Sequence, residues 1–313
     1  MRVLVLGGYG AVGKHLVAEL RRTGDTVVVA GRDRTRADVT IDLSEPRLRS
    51  YREALDGIDV VANTTGAENP LLAQHAADHG SAFVDVTAST EYVAQLEQLP
   101  PDGPAIVSVG LAPGLTNLLA AAIHAQSSGP IDIAVLLGAG ERHGAAATEW
   151  SYSLLGRKFR AENEFVRNYT RPKVFVLPAH GRRRLLRTDF SDQHTLTRDL
   201  DVRVRTYFAL DSRIATAGLS LATWIPGAAK MPRGLHFPGT DGWTVLARAQ
   251  SGSALWARGH SQSRATALLA VPAIHAAVGL TPGVHHLHNV LTLADVPTDS
   301  GIDIGTAKPT TRQ

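Results

Sequence analysis

The sequence predicts an α/β protein: an N-terminal Rossmann unit with a doubly wound parallel sheet, then a second, smaller α+β domain carrying a mixed or antiparallel sheet. Three observations predict it. The nearly all-apolar run Arg2-Val-Leu-Val-Leu6 leads into the turn Gly8-Tyr-Gly10-Ala-Val-Gly13. Short β-branched runs then alternate with helix-length segments to about residue 126, the grammar of parallel βαβ units. Beyond that point apolar and polar residues alternate, as they do in strands with one solvated face.

The elements follow in order. A strand over 2–6 and a helix over 11–22 open the first βαβ unit; Gly24 stops the helix and Thr26-Val-Val-Val-Ala30 supplies the second strand. The pattern continues with strands at 37–42, 59–63, 81–86 and 105–109 and helices near 48–55, 70–78 and 116–126. Later strands are expected at 131–137, 202–208 and 243–248, and an apolar helix at 264–278. A chain of 313 residues suits two domains. They are drawn at 1–126, binding dinucleotide, and 127–261, for substrate and dimerisation, with 262–313 free to pack back on the first.

Composition narrows the chemistry. Hydrophobic residues at 44% and charged residues at 19% describe a chain that can bury a core. Cysteine is absent, which excludes thiol nucleophiles, thiolate metal sites and disulfides and leaves redox work to a cofactor. No apolar run approaches the ~20 residues of a membrane span, and no signal-like segment opens the chain. The expected location is the cytoplasm, with no membrane partner. A net charge of +3, with one basic cluster at Arg182–Arg184 and Arg187, reads as a solvated face and not as a nucleic-acid surface.

The turn Gly8-Tyr9-Gly10-Ala11-Val12-Gly13 fits G-x-G-x-x-G between a strand and a helix. Its glycines permit a tight turn, close approach of a pyrophosphate and close helix–strand packing, while the helix N-terminus holds the anion. The cofactor's second phosphate is read at the end of the second strand. There the sequence carries Ala30-Gly-Arg32 in place of the acid that binds the ribose hydroxyls of NAD. Arg32 can pair with a 2′-phosphate, so NADP(H) is expected; Asp33 would favour NAD if it faced the ribose instead. Asn63-Thr64-Thr65 ends the next strand, where ligands of open sheets collect, and Asp42 is placed either to reach adenine or to form a turn.

These segments, with Phe83-Val-Asp-Val-Thr87 and Gly110-Leu-Ala-Pro-Gly-Leu-Thr-Asn117, make the first ~125 residues resemble the saccharopine dehydrogenase-like family of NAD(P)-binding oxidoreductases. The resemblance implies that Asp85, Thr87, Ser89 and Tyr92 lie near a nicotinamide and that Gly110, Pro113 and Gly114 close the site opposite them. It also implies a homodimer. Ala112 stands where saccharopine reductases themselves carry an acid, and Leu154-Leu-Gly-Arg-Lys-Phe159 only faintly echoes their later motif.

Hydride transfer needs a cofactor and substrate at reacting distance and a proton source. Glu149 and His143, with Tyr92, are the candidate acid/base groups; Glu149 equally suits a helix start, and His143 a surface. Arg142, Arg157 and Arg160 could hold a substrate carboxylate. His285, His286 and His288 read as structural, since adjacent histidines project apart. Tyr169 and Lys173 have the spacing of a Tyr-x-x-x-Lys pair, but Pro172 breaks the helix that such a pair needs. No metal is expected. The reading is an NADP(H)-dependent imine or carbonyl reductase of a small substrate, an amino-acid derivative being one candidate. The alternatives are an enoyl (C=C) reductase of the same family and a non-catalytic NmrA-like redox sensor.

Overall fold

The computed structural model describes residues 1–86, 89–100, 102–140, 150–162, 164–230 and 239–307. The chain divides into two compact units, Met1–Gly114 with Ser263–Ser300, and Leu115–Gln262 with Gly301–Gln313. The second unit, expected to be the smaller, is about as long as the first. The helix Leu115–Gln126 belongs to it and not to the first unit, because it packs along strands of the second sheet.

The first unit holds β1 (Arg2–Leu6), β2 (Thr26–Gly31), β3 (Val39–Thr40), β4 (Val60–Asn63), β5 (Ala82–Asp85) and β6 (Pro104–Val107), with α1 (Gly13–Arg22), α2 (Arg49–Glu53), α3 (Leu71–Asp78) and α4 (Thr90–Leu96). A strand from late in the chain, Gly283–His286, adds to β6. Across the sheet the order is Gly283–His286, β6, β5, β4, β1, β2, β3, with every pairing parallel. The chain order reverses at β1, between β2 and β4, which is the switch point of a doubly wound sheet. Val3, Leu4, Val5, Val60 and Val61 are fully buried, as in a parallel sheet covered on both faces.

Three elements differ from expectation for local reasons. The strand expected at 37–42 shrinks to Val39–Thr40, because the Asp38 carboxylate takes the Val29 amide at 2.9 Å and Asp42 turns the chain through its own bond to Ser44. The first helix starts at Gly13 and not at residue 11, since the Gly10 amide closes a turn onto Gly7 O at 2.8 Å. Helix α4 was not visible as a periodic run; Ser89 caps it by accepting the Tyr92 amide.

The second unit is built on a seven-stranded mixed sheet. Its strands are β7 (Ile131–Leu137), β10 (Thr170–Leu177), β11 (Gly181–Arg187), β12 (Val204–Leu210), β13 (Gly242–Ala249), β14 (Ala254–His260) and the late strand Asp303–Ala307; β8 (Lys158–Ala161) and β9 (Glu164–Arg167) form a separate hairpin. The order is β10, β11, β12, β7, β13, β14, Asp303–Ala307, with only β12 and β7 parallel. The helix Leu115–Gln126 is pinned through Thr116, whose hydroxyl donates to Asp192 at 2.9 Å, while Thr206 of β12 donates to the same carboxylate at 2.7 Å. Burial raises the Asp192 pKa above the ordinary range, partly offset by those two hydroxyls.

Several side chains sit otherwise than the sequence suggested. Arg187, read as part of a solvated cluster, is 6% exposed; it donates to Gln193 and to Thr206 O and lies over the rings of Phe159 and Tyr207. Burial holds its pKa down, at about 10. Trp224 is 64% exposed, with Arg167 over its ring at 4.7 Å. Tyr169 precedes a strand and not a helix turn; its hydroxyl donates to Ser151 O, and Lys173 turns to Asp132. No described helix is long and apolar enough to cross a membrane.

Candidate dinucleotide site

The first unit gathers the polar residues expected for a nucleotide along the carboxyl edge of its sheet. Leaving β1, Gly7 adopts a positive φ of 74° and its amide donates to Ala30 O at the end of β2. The turn leaves no room for larger residues. A Cβ on Gly13 would lie 2.2 Å from Gly7 O, and one on Gly10 would lie 3.0 Å from the same oxygen. Helix α1 then begins with no side-chain cap and no acid in its first turn. The amides of Lys14, His15 and Leu16 donate back to Gly10 O and Val12 O, so the anion site rests on the helix dipole and on the turn amides of Ala11, Val12 and Gly13.

The end of β2 closes against this turn. Tyr9 packs its ring where a Cβ on Gly31 would fall, 2.4 Å from the ring edge, and its hydroxyl accepts the Asp33 amide at 2.9 Å. Arg36 lies over the Tyr9 ring at 4.4 Å and donates to Tyr9 O. No signal in the sequence set Arg36 apart from its arginine neighbours, because its role depends on how the loop folds back. Asp33 accepts the hydroxyl and amide of Thr35 on one oxygen, which lowers its pKa. Arg32 and Arg34 are exposed and, among the described residues, make no hydrogen bond or ion pair. Asp42 accepts the hydroxyl and amide of Ser44 and is held below the usual carboxylate range by them, with a smaller contribution from the charge of Arg32. Its geometry is that of a turn.

On the other side of the glycine turn, Thr64 returns to Leu6 O through both its amide, at 3.0 Å, and its hydroxyl, at 2.7 Å. A Cβ on Gly7 would meet Thr65 at 3.0 Å and Thr64 at 3.2 Å. Asn63 is fully buried. Its carbonyl oxygen accepts the Thr65 hydroxyl and its amide donates to Asp85 at 3.0 Å. Asp85, equally buried, also accepts the Tyr92 hydroxyl at 2.9 Å. Burial, then the Asp85 charge, drives the Tyr92 pKa far above its ordinary value. Tyr92 is thus a neutral donor to Asp85, tying α4 to the strand ends. Gly110 and Gly114 pack together so tightly that a Cβ on Gly114 would fall 1.9 Å from Gly110 O; the Ala112–Pro113 bond between them is cis, and Leu111 donates to Thr266.

The structure therefore brings Gly8 to Gly13, Arg32, Thr64, Thr65, Asn63, Asp85 and Tyr92 onto one sheet edge. Thr87, Arg142, His143 and Glu149 lie outside the described residues. Among described residues no group of three or more His, Asp or Glu could hold a metal ion. His286 instead meets Glu97 at 2.7 Å, and His285 meets Thr281 O.

No family model matches the chain, and no curated protein matches it. Among solved structures, the chain is similar to a mutant meso-dapdh with DAP from Clostridium tetani E88, at 14% identity over 95% of this chain and 96% of that one, with a TM-score of 0.48. A homoserine dehydrogenase from S. aureus aligns at 11% identity over 90% and 79% of the two chains, TM-score 0.40. A short-chain dehydrogenase/reductase superfamily protein from Agrobacterium tumefaciens with bound NAD aligns at 21% identity over 27% of this chain, TM-score 0.24. That match spans about a third, 32%, of the other chain. At these identities and scores the functional reading rests on the glycine turn itself.

Proposed function

We propose that the chain is an NADP(H)-dependent oxidoreductase that moves a hydride to or from a C=N or C=O bond of a small substrate, an amino-acid derivative being the favoured class. The observation that carries this reading is the uncapped N-terminus of α1 beneath a turn with no room for a Cβ at Gly13, with Arg32 exposed and uncommitted at the end of the neighbouring strand. Gly8, Tyr9, Gly10, Ala11, Val12 and Gly13 would hold the pyrophosphate, and Arg32 the 2′-phosphate. The acid of that loop, Asp33, spends one oxygen on Thr35, which supports phosphate over ribose hydroxyls as its neighbour's partner.

The nicotinamide, when bound, supplies or accepts the hydride. The chain's own part is to orient it: Thr64, Thr65 and Asn63 line the edge beside the turn, and the Asp85–Tyr92 bond fixes the next strand end. Tyr92, buried and committed to Asp85, serves as a positioning group, which leaves His143 and Glu149 as the proton donors proposed for the reaction.

The test is to follow loss of reduced-nicotinamide absorbance with NADPH and a panel of imines, ketones and enones. Turnover on an imine or ketone with NADPH preferred over NADH is expected. Tight NADPH binding with no turnover on any member would replace the enzyme by a sensor.

A further inference from the structure

The second sheet curls far more than its strand order alone suggests. Strands β10 and β13 are separated by β11, β12 and β7, yet the Arg248 guanidinium of β13 lies 4.5 Å from the ring centroid of Phe175 on β10. Likewise Lys173 of β10 reaches Asp132 of β7 at 2.6 Å. The curl encloses an apolar interior of Leu136, Phe175, Leu177, Tyr207 and Leu246, all nearly inaccessible.

At one mouth of this curled sheet is a cavity of about 760 Å³, within the size range of small-molecule sites. Its wall carries Lys173, Arg203, Arg205 and Arg248 against one acid, Asp132. Register explains the clustering. Arg205 and Arg248 are the direct cross-strand partners of Asp132 on its two sides, so three charged side chains form one row on one face. Asp132 receives both Lys173 and Arg248, at 2.6 and 3.4 Å, on the same oxygen. Glu162 holds Arg203 and Arg205 from the side, at 3.1 and 2.9 Å. Four cations thus share two carboxylates, in a concavity floored by Phe175, Leu246 and Ala254.

We propose that this mouth is a binding site for a small polyanion, a molecule with two or more clustered anionic groups such as a phosphate ester or a di- or tricarboxylate. The interior is filled by packed side chains, so the ligand sits at the cationic rim and does not thread the sheet. Converging guanidinium and ammonium groups over a low-dielectric floor favour such anions well beyond a solvated basic surface. The site lies wholly within the second unit and is independent of the nucleotide reading.

Isothermal titration of the full chain at constant ionic strength, with inorganic pyrophosphate in one arm and citrate in the other, tests it. Saturable binding of at least one probe is expected, at one site per chain besides any taken by the glycine turn, and the arm that binds distinguishes phosphate from carboxylate chemistry. Arg248→Ala should weaken binding at least ~10-fold, whereas Asp132→Asn, which removes the competing carboxylate, should tighten it. Arg184→Ala, on an exposed arginine outside the cavity, should leave it unchanged. Heats no different from sodium chloride in both arms, or equal losses in Arg248→Ala and Arg184→Ala, would overturn the proposal. So would an anion signal that disappears in Gly13→Val and survives in Arg248→Ala, since the anion would then occupy the glycine turn.

Discussion

The two seven-stranded sheets put their polar groups in different places. In the first, the strand interiors are apolar, and polar side chains such as Asn63 and Asp85 appear where strands end. In the second, the strands carry charge along one face, as Asp132, Arg205 and Arg248 do in a single row. The difference follows from what covers each sheet. A parallel sheet buried on both faces can tolerate polar chemistry only at its edge, whereas a curled mixed sheet can present it at an open mouth.

The sharpest way to break the comparison is at the turn that organises the first sheet's edge. Gly13→Val would place a side chain where even a Cβ lies 2.2 Å from Gly7 O. The turn must open, with loss of ~2 kcal/mol or more of stability and of nearly all NADPH binding. Denaturant titration and fluorescence titration measure the two effects. Unchanged NADPH affinity would remove the turn from the site.

The second sheet has its own buried anchor in Asp192. Because burial raises its folded-state pKa above the unfolded value near 3.8, the protonated form is favoured on folding. The cost of its charge is absent below the unfolded pKa and grows as pH rises through the raised folded pKa. Wild type should therefore lose stability relative to Asp192→Asn as pH is raised from about 4 to 7. Parallel urea titrations of both proteins across that range check it, and a difference that is flat or of opposite slope contradicts it.

A smaller effect is expected at the edge of the first sheet. Tyr92→Phe removes one donor to the buried Asp85 while Asn63 still donates, so stability should fall by ~1–2 kcal/mol. If Tyr92 only positions the strand end, KM for NADPH should move more than kcat. A collapse of kcat with KM unchanged would make it the proton donor instead.

The contrast between the sheets also explains how much was legible. A buried parallel strand reads as a continuous apolar run, so β1, β2, β4 and β5 stood out, and the glycines between β1 and α1 marked the candidate site. Strand Gly283–His286 did not, because a four-residue edge strand with two histidines has neither an apolar run nor a strict alternation. In the second unit the arginines of β11 hid a strand: Gly-Arg-Arg-Arg-Leu-Leu-Arg reads as a basic loop until the Phe159 and Tyr207 rings that accept Arg187 are in place. Asp33 and Asp42 were open to two readings, since whether a carboxylate meets a ribose or its own backbone depends on the loop geometry that Thr35 and Ser44 close.

The most direct test of the proposed nucleotide site is the affinity of wild type and Arg32→Ala for NADPH and NADH, measured side by side. An exposed arginine that pairs with the 2′-phosphate should be worth ~10- to 100-fold for NADPH and close to nothing for NADH. Equal losses for both cofactors, or none for either, would contradict the assignment of Arg32 and with it the preference for NADP(H).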